Sequence, residues 1–231
     1  MNLNTIFLTV LLTAALPFFS GTVTAKQLPE GYDKVLPLEG STNFRDFGGY
    51  PAAGGKTVVR GKLFRSGVMS ALTRDDMEFL DELEIRTVVD LRSSEELDLY
   101  PNYWVKVSQL EYAHHDYSMM EMMKSTSTDS GNDSKLPVYT PAAFYRTMAY
   151  NLKPQLRTYF AAALQGKPLV VNCSAGQDRT GVAAALMLSA LGVSRDYVVY
   201  DYLMSTHYRR PGIERGNVDL QAAAETNAFA R

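Results

Sequence analysis

The sequence has 231 residues, with 23 lysines and arginines against 25 aspartates and glutamates, which gives a formal net charge of −2. This near balance lacks the basic excess that nucleic-acid-binding domains carry, so we expect no nucleic-acid partner. Hydrophobic residues make up 46% of the chain and charged residues 21%, as in globular domains, which excludes global disorder. The single cysteine, Cys173, excludes an internal disulfide and a cysteine-based zinc site, and with three histidines we expect no bound metal.

The amino-terminal segment resembles a secretory signal peptide. Residues 1–25 contain no charged side chain, and the stretch 6–19 is nearly all apolar and is followed by small residues up to Ala25. Residues 1–5 lack the usual basic side chain, and an uncleaved anchor or a buried helix is the alternative, although the apolar stretch is short for a membrane span. We predict export to the periplasm or the medium, with no stable membrane insertion of the remaining domain, 26–231, once the signal is cleaved.

After this segment, patterns typical of strands alternate with patterns typical of helices. The predicted strands span 58–64, 85–91, 109–114 and 169–172. The predicted helices begin at Thr73, with Asp76 completing an acidic capping box, and at Ser194, and they span 141–150, 153–165 and 180–191. This alternation predicts one α/β domain with a central, mainly parallel sheet flanked by helices.

Residues 118–135 differ from the rest in composition. Four of the ten methionines stand at 119, 120, 122 and 123, and a strongly polar stretch follows them. We predict a flexible insertion over 118–135. The methionines are interpreted either as an apolar lid over a substrate or as surface residues that touch the nearest helix, and the second interpretation is favoured.

The segment after the last predicted strand carries the chemistry. Cys173 and Arg179 bracket five residues that lead directly into a helix, so backbone N–H groups of the loop can face one anion. Gly176 permits the turn, and the guanidinium of Arg179 can bind two oxygens of a phosphate. The predicted phosphate-binding residues are Ser174, Ala175, Gly176, Gln177, Asp178 and Arg179.

Such a positive environment favours the thiolate form of Cys173, which makes it a nucleophile for phosphoryl transfer. Thr180 can place its hydroxyl on the Cys173 sulfur and stabilise it as a leaving group. The alternative for a lone cysteine is an inert core residue, but Arg179, Gly176 and the strand–loop–helix context favour catalysis.

Cys-x5-Arg before Thr-Gly, together with four other motifs, resembles the bacterial tyrosine phosphatases related to secreted mycobacterial and listerial enzymes. The other motifs are Asn-Phe-Arg-Asp-x-Gly-Gly-Tyr at 43–50, Leu-Phe-Arg-Ser-Gly at 63–67, Asp-Leu-Arg-Ser at 90–93 and Asp-Tyr-Leu-Met-Ser at 201–205. The resemblance covers about residues 38–206. It implies a single tyrosine-phosphatase-like domain with a phosphate-binding loop between a strand and a helix, a phosphocysteine intermediate, no cofactor, a monomer and a bacterial source.

Two positions depart from the family pattern. Asn172 stands where the family usually has histidine, so a histidine contribution to the thiolate is lost. Gln177 stands where the family often has lysine, and the neutral amide weakens the case for a polyanionic substrate.

The resemblance leaves the general acid open between Asp178, inside the loop, and Asp116, after the third predicted strand. Asp178 is favoured, and the alternative for it is an ion pair with Arg179 or another arginine that only fixes the loop. Supporting roles are predicted for Asp90, Arg92, Arg45 and Asp46, and direct contact of Arg45 or Asp46 with substrate is the alternative.

Three functions fit these residues. The first is hydrolysis of phosphotyrosine in proteins, or of small phosphomonoesters, with or without dual specificity. The second is the same chemistry on phosphoinositides or inositol phosphates. The third is a phosphate-binding module without catalysis, against which the intact Cys173 and Arg179 argue.

Overall fold

The computed structural model describes residues 34–127, 141–227 and 230. The predicted signal peptide, 1–25, and the part of the predicted insertion from 128 to 135 lie outside the described residues. Where the chain is described, no helix is both long and apolar enough to cross a bilayer.

A five-stranded sheet forms the centre of the domain, in the order β1-β4-β7-β5-β6. Its strands are β1 (Arg45–Asp46), β4 (Leu63–Ser66), β5 (Thr87–Asp90), β6 (Glu111–His114) and β7 (Leu169–Asn172), and β2 (Pro51–Ala52) and β3 (Lys56–Thr57) form a separate hairpin. Within the five-stranded sheet, the edge strand β1 is antiparallel to its neighbour and the other described pairings are parallel. The mainly parallel α/β sheet predicted from the sequence is therefore confirmed.

Helices cover both faces of this sheet. They are α1 (Arg74–Glu82), α2 (Ser94–Leu99), α3 (Tyr103–Val107), α4 (Met119–Ser127), α5 (Pro141–Asn151), α6 (Lys153–Ala163), α7 (Asp178–Ala190), α8 (Arg195–Leu203), α9 (Ser205–Tyr208), α10 (Pro211–Arg215) and α11 (Leu220–Ala223). The central strands β5 and β7 are buried throughout, and their side chains point alternately into two apolar clusters, one on each face. The capping box predicted from Thr73 and Asp76 is present at the start of α1.

The register of the parallel strands brings their carboxyl ends to one edge. Ser66 of β4 and Asp90 of β5 both lie opposite Asn172 of β7. The loops that follow these three strands therefore meet at that edge. In open α/β sheets this is where ligands bind.

One prediction about secondary structure is wrong. The strand predicted over 58–64 begins only at Leu63, because Gly61 adopts a positive φ of 70° and its N–H donates to the Asp46 carboxylate, which holds a turn there.

Within the predicted flexible insertion 118–135, the residues Met119–Ser127 form helix α4. Met119 and Met122, one turn apart on that helix, are buried in the main core cluster, whereas Met120 and Met123 are exposed. Two of the four methionines therefore pack against the core, and the flexibility of the segment stays a prediction.

Candidate functional site

The loop between β7 and α7 has its carbonyl oxygens fixed by groups outside it. The oxygen of Ser174 accepts from the Val68 N–H at 2.8 Å, and Asn43 Nδ2 donates to the oxygens of Ala175 and Gly176 at 3.2 and 2.9 Å. With these carbonyls turned outward, the loop N–H groups remain for a ligand, in front of the amino terminus of the 13-residue helix α7. Cys173, 2% exposed, begins this loop.

Gly176 is required by the backbone of this loop. Its φ is +66°, and a Cβ at this position would lie 2.5 Å from the backbone nitrogen of Gly67. A side chain there would therefore meet both a strained conformation and rigid backbone. This confirms the turn role that the sequence predicts for Gly176.

Arg179 is held by a carboxylate that the sequence reasoning did not select. Its Nη1 donates to Glu96 Oε2 and its Nη2 to Glu96 Oε1, each at 2.6 Å. Nη1 also lies within hydrogen-bond distance of the Leu91 carbonyl, at 3.1 Å, and of the Tyr117 hydroxyl, at 2.9 Å. Burial raises the pKa of Tyr117 to about 12, opposed by Arg179, so the phenol stays protonated and donates to the Leu91 carbonyl at 2.6 Å.

The geometry of this ion pair leaves Arg179 able to bind a phosphate. A guanidinium has five N–H groups, and Glu96 occupies the edge formed by Nη1 and Nη2. Within the described part of the chain, the Nε–H and the second Nη2–H have no partner. These two N–H groups point the same way and match two phosphate oxygens. Glu96 therefore orients Arg179 without competing with the anion.

Glu96 is also tied to the start of helix α2 and to the loop. Its Oε2 accepts from the Ser93 N–H at 2.8 Å, in a capping box, and its Oε1 accepts from the Ser174 hydroxyl. Burial raises the pKa of Glu96, but the charge of Arg179 and these hydrogen bonds outweigh it and lower the pKa to about 2. Glu96 is therefore ionised at every pH at which the domain is expected to work.

Replacing Glu96 by glutamine is expected to remove a pH-dependent part of the stability. Because the carboxyl has a pKa of about 2 when folded, against 4.5 ordinarily, its contribution is complete above pH 4.5 and is lost as the pH falls towards 2. We expect Glu96→Gln to lower the free energy of unfolding by about 3 kcal/mol at neutral pH. The difference should shrink at about pH 3. Urea unfolding at both pH values measures this.

The matched control is Asp98→Asn, which removes an exposed carboxylate from the same helix and should change the free energy of unfolding little at either pH. A Glu96→Gln penalty that is equal at both pH values would contradict an ionised Glu96 in the folded protein.

Of the two candidate acids, only Asp178 lies in the loop region. It is half-buried in the first turn of α7, and its Oδ1 accepts from the Tyr145 hydroxyl, which in turn contacts the Tyr202 hydroxyl at 2.9 Å. Asp116 has a 94% exposed side chain that accepts from Ser94 at 3.3 Å and lies 3.6 Å from His114 Nδ1. The arginine next to Asp178 pairs with Glu96 instead, and among the described residues no arginine lies within salt-bridge distance of Asp178.

Thr180 does not make the predicted contact. Its hydroxyl is buried and has no hydrogen-bond partner among the described residues, the Cys173 sulfur included. Thr180 lies within the first turn of α7, and its side chain is fully enclosed there. In this structure the expected stabilisation of the sulfur by Thr180 is therefore missing.

Asp90 and Arg92, for which supporting roles are predicted, form a buried ion pair at the carboxyl end of β5. Both are fully buried. The Arg92 guanidinium donates to both Asp90 oxygens, with Nη2 2.6 Å from Oδ2, and it also donates to the Tyr100 carbonyl. Burial raises the pKa of Asp90, but Arg92 lowers it further, so the pKa is below its ordinary value. This pair fixes the segment that leads from β5 to Glu96.

Arg45 and Asp46 brace the backbone and have no exposed surface from which to reach a substrate. Arg45 donates to the side chain of Asn43, which holds the loop carbonyls, and to the backbone oxygen of Asp201 at 2.8 Å. Asp46 accepts from the N–H groups of Gly48 and Gly61 at 2.7 and 2.9 Å. These contacts are with backbone groups and a buried side chain, as the predicted bracing role requires.

Arg65, a further buried arginine, contacts the loop between β7 and α7, residues 173–177, which is called the phosphate loop below. Its Nη2 donates to the Gly176 carbonyl at 2.8 Å, and its Nη1 pairs with the Asp201 carboxylate. Arg45 Nε reaches the other oxygen of that carboxylate at 3.4 Å. Burial raises the pKa of Asp201, but the charges of Arg65 and Arg45 outweigh it and lower the pKa below its ordinary value.

A cation also lies next to Gln177. Arg209 Nη1 donates to Gln177 Oε1 at 2.8 Å, while its Nε and Nη2 bind Glu214 at 3.0 and 2.6 Å. The pKa of Arg209 is raised, chiefly by its hydrogen bond to Glu214, and the nearby Asp178 and Cys173 also contribute. Arg209 therefore lies close enough to the loop for its charge to act there.

The family model of the tyrosine phosphatase family matches residues 36–230. The chain belongs to this family. A Cupriavidus necator protein named for the tyrosine-protein phosphatases is 33% identical over 178 residues, with 74% of this chain and 62% of its own length covered. The triple specificity protein phosphatase PtpB of Mycobacterium tuberculosis is 31% identical over 195 residues, with 74% and 69% covered. This chain thus spans about three fifths to two thirds of these relatives.

A solved structure of P. aeruginosa TpbA aligns with 76% of this chain and 83% of its own, at 13% sequence identity and a TM-score of 0.33. Family membership itself rests on the family model and on the curated relatives. Among residues 34–127 and 141–227, no three histidine, cysteine or acidic side chains gather as a metal site would require.

Sequence reasoning missed Glu96, although the signal for it is present. Ser93, the last residue of the Asp-Leu-Arg-Ser motif, forms a Ser-x-x-Glu capping box with Glu96. Arg65 lies within a quoted motif but was given no role. Tyr117, Tyr145 and Arg209 stand outside the quoted motifs, and no local pattern marks them.

Proposed function

We propose that this chain hydrolyses phosphate monoesters, chiefly phosphotyrosine in proteins, through a phosphocysteine intermediate on Cys173. The observation that supports this most is the open edge of Arg179, with two unpartnered N–H groups, beside a loop whose carbonyl oxygens face outward. Such an arrangement suits the three oxygens of a transferring phosphoryl group. The names of the relatives from C. necator and M. tuberculosis point the same way.

The proposed reaction has two steps. In the first, the Cys173 sulfur attacks phosphorus, an S–P bond forms, the P–O bond to the alcohol breaks, and the leaving oxygen takes a proton from Asp178. In the second, water attacks phosphorus and gives a proton to the Asp178 carboxylate, the S–P bond breaks and returns the Cys173 thiolate, and inorganic phosphate leaves. Both steps develop charge on phosphoryl oxygens, which the loop N–H groups and Arg179 would stabilise.

A second candidate is hydrolysis of phosphoinositides or inositol phosphates by the same chemistry. The neutral Gln177 argues against a further phosphate, but Arg209 places a cation against that side chain. PtpB of M. tuberculosis is named for a triple specificity, so that relative is not limited to one kind of substrate. Because Glu214 already binds two Arg209 nitrogens, the phosphotyrosine proposal is favoured.

A substrate panel separates these functions. We expect the highest kcat/KM on phosphotyrosyl peptides, lower values on phosphoseryl peptides and soluble inositol phosphates, inhibition by orthovanadate and no effect of chelators. A preference for inositol phosphates that Arg209→Gln abolishes would transfer the proposal to the second candidate. Phosphate binding without turnover of para-nitrophenyl phosphate would overturn both and leave a non-catalytic module.

We also propose that the protein acts outside the bacterial cytoplasm. The uncharged residues 1–25, with small residues before the first lysine, support this. Expression of the full sequence in a Gram-negative host should yield a periplasmic product whose amino-terminal residue is Lys26. A cytoplasmic product that retains Met1 would contradict the export proposal.

A further inference from the structure

A cavity of about 280 Å³ lies at the opposite edge of the sheet from the phosphate loop. Leu63, the first residue of β4, and Lys167, two residues before β7, line it, whereas the loop follows the carboxyl ends of these strands. Four residues of extended strand, roughly 13 Å, separate the two edges. The cavity is therefore a separate site from the one described above.

The floor of this cavity is apolar and continuous with the core. Val58 and Met187 line it and belong to the main core cluster, and Ala163 at the end of α6 packs against that cluster. At the mouth, Val59 and Leu191 are apolar and exposed. Small-molecule sites have volumes from about 300 Å³ upwards, so this cavity is close to the smallest of them. Its concave shape can enclose a single alkyl chain, which a flat surface cannot do.

The rim of the cavity is basic. Lys56, Lys62 and Lys167 line it, all three are exposed, and none has an acidic partner within the described residues. The segments that form the cavity, 51–63, 161–168 and 185–193, contain no aspartate or glutamate, although the whole chain is slightly acidic. The one other cation among them, Arg60, is paired with the buried Asp46.

We propose that this cavity binds a monomeric, single-chain anionic amphiphile, such as a medium-chain fatty acid. The alkyl chain would enter the apolar floor, and the anionic head would lie among the three rim lysines. A neutral head group brings no negative charge to pair with the rim lysines, and a cationic head group is repelled by them. Neither kind of amphiphile therefore fits this charge pattern. This ligand class goes beyond the phosphatase proposal and does not depend on it.

Calorimetric titration of the full chain with decanoate below its critical micelle concentration tests the proposal. Saturating inorganic phosphate is included so that the phosphate loop is occupied. We expect one molecule of decanoate per chain, at least about tenfold weaker binding of decanol, and no binding of decyltrimethylammonium. Ala163→Phe, which fills the cavity, should abolish decanoate binding.

The charge requirement is tested with two matched triple variants. Replacing Lys56, Lys62 and Lys167 by glutamine should weaken decanoate binding at least about tenfold. Replacing three other exposed cations, Arg74, Lys106 and Lys153, should leave it unchanged. Turnover of a small phosphomonoester, or thermal unfolding, verifies that each variant is folded.

Equal binding of decanoate and decanol, or equal binding by both triple variants, would overturn the proposal. So would association with anionic vesicles in the absence of monomer binding, which would assign this basic face to a bilayer surface instead.

Discussion

Replacing Cys173 by serine is expected to lower kcat on para-nitrophenyl phosphate by at least about 10⁴-fold. The serine hydroxyl is a weak nucleophile unless an adjacent base removes its proton, and among the described residues no hydrogen bond joins the side chain at position 173 to a base. Serine is close to cysteine in size, so the buried position should keep its packing. Steady-state kinetics and a search for phosphoenzyme after rapid acid quench measure the effect.

The Cys173→Ser variant should still bind inorganic phosphate, since the loop N–H groups and Arg179 are unchanged. This binding, measured by calorimetry, is the control that separates loss of the nucleophile from loss of the loop. An unchanged melting temperature would show in addition that the core around position 173 is intact. Turnover within about tenfold of the parent, or a phosphoenzyme in the variant, would contradict a phosphocysteine mechanism.

The phosphate loop could be predicted from the sequence because its determinants are local. The buried strand, Cys173, Gly176, Arg179 and the start of α7 all lie within a short segment, and a parallel strand that leads into a helix through a loop fixes where the N–H groups point. The support by Asp90 and Arg92 is equally local, since the two residues stand two apart and pair directly. The sheet itself followed from the alternation of strand and helix patterns.

What holds the loop in shape could not be predicted, because its partners are distant in the sequence. Glu96 and Arg179 are 83 residues apart, and Arg65 and Asp201 are 136 apart. Any buried carboxylate of the chain could satisfy such an arginine, and only the packing of α2 and α8 against the loop selects these two. The same reason applies to Asn43. Its motif can be recognised in the sequence, but its contacts with the loop carbonyls join residues 132 and 133 positions apart.

The composition of residues 118–135 does not indicate the helix that its first half forms. The methionines of α4 precede a polar stretch, and the two together read as an insertion. The i, i+3 spacing of Met119 and Met122 indicates one helix face, and both side chains are buried against the core. The helical spacing of these two methionines therefore indicates their packing better than the composition of the segment does.

Replacing Asp178 by asparagine is expected to lower kcat by about 10²- to 10³-fold on phosphotyrosyl peptides, because the leaving phenolate then lacks a proton donor. The loss should be much smaller on an aryl phosphate whose phenol is more acidic, since that leaving group departs without a proton. The variant should also lose the part of the pH–rate profile that reports a group required in its protonated form. Asparagine keeps an oxygen that can accept from the Tyr145 hydroxyl, so the local structure should persist.

Asp116→Asn is the matched control, since it removes the other candidate carboxylate from an exposed position. If Asp178 is the acid, Asp116→Asn keeps both the rate and the dependence on the leaving group. The reverse result would assign proton donation to Asp116 and leave Asp178 as a residue that positions Tyr145.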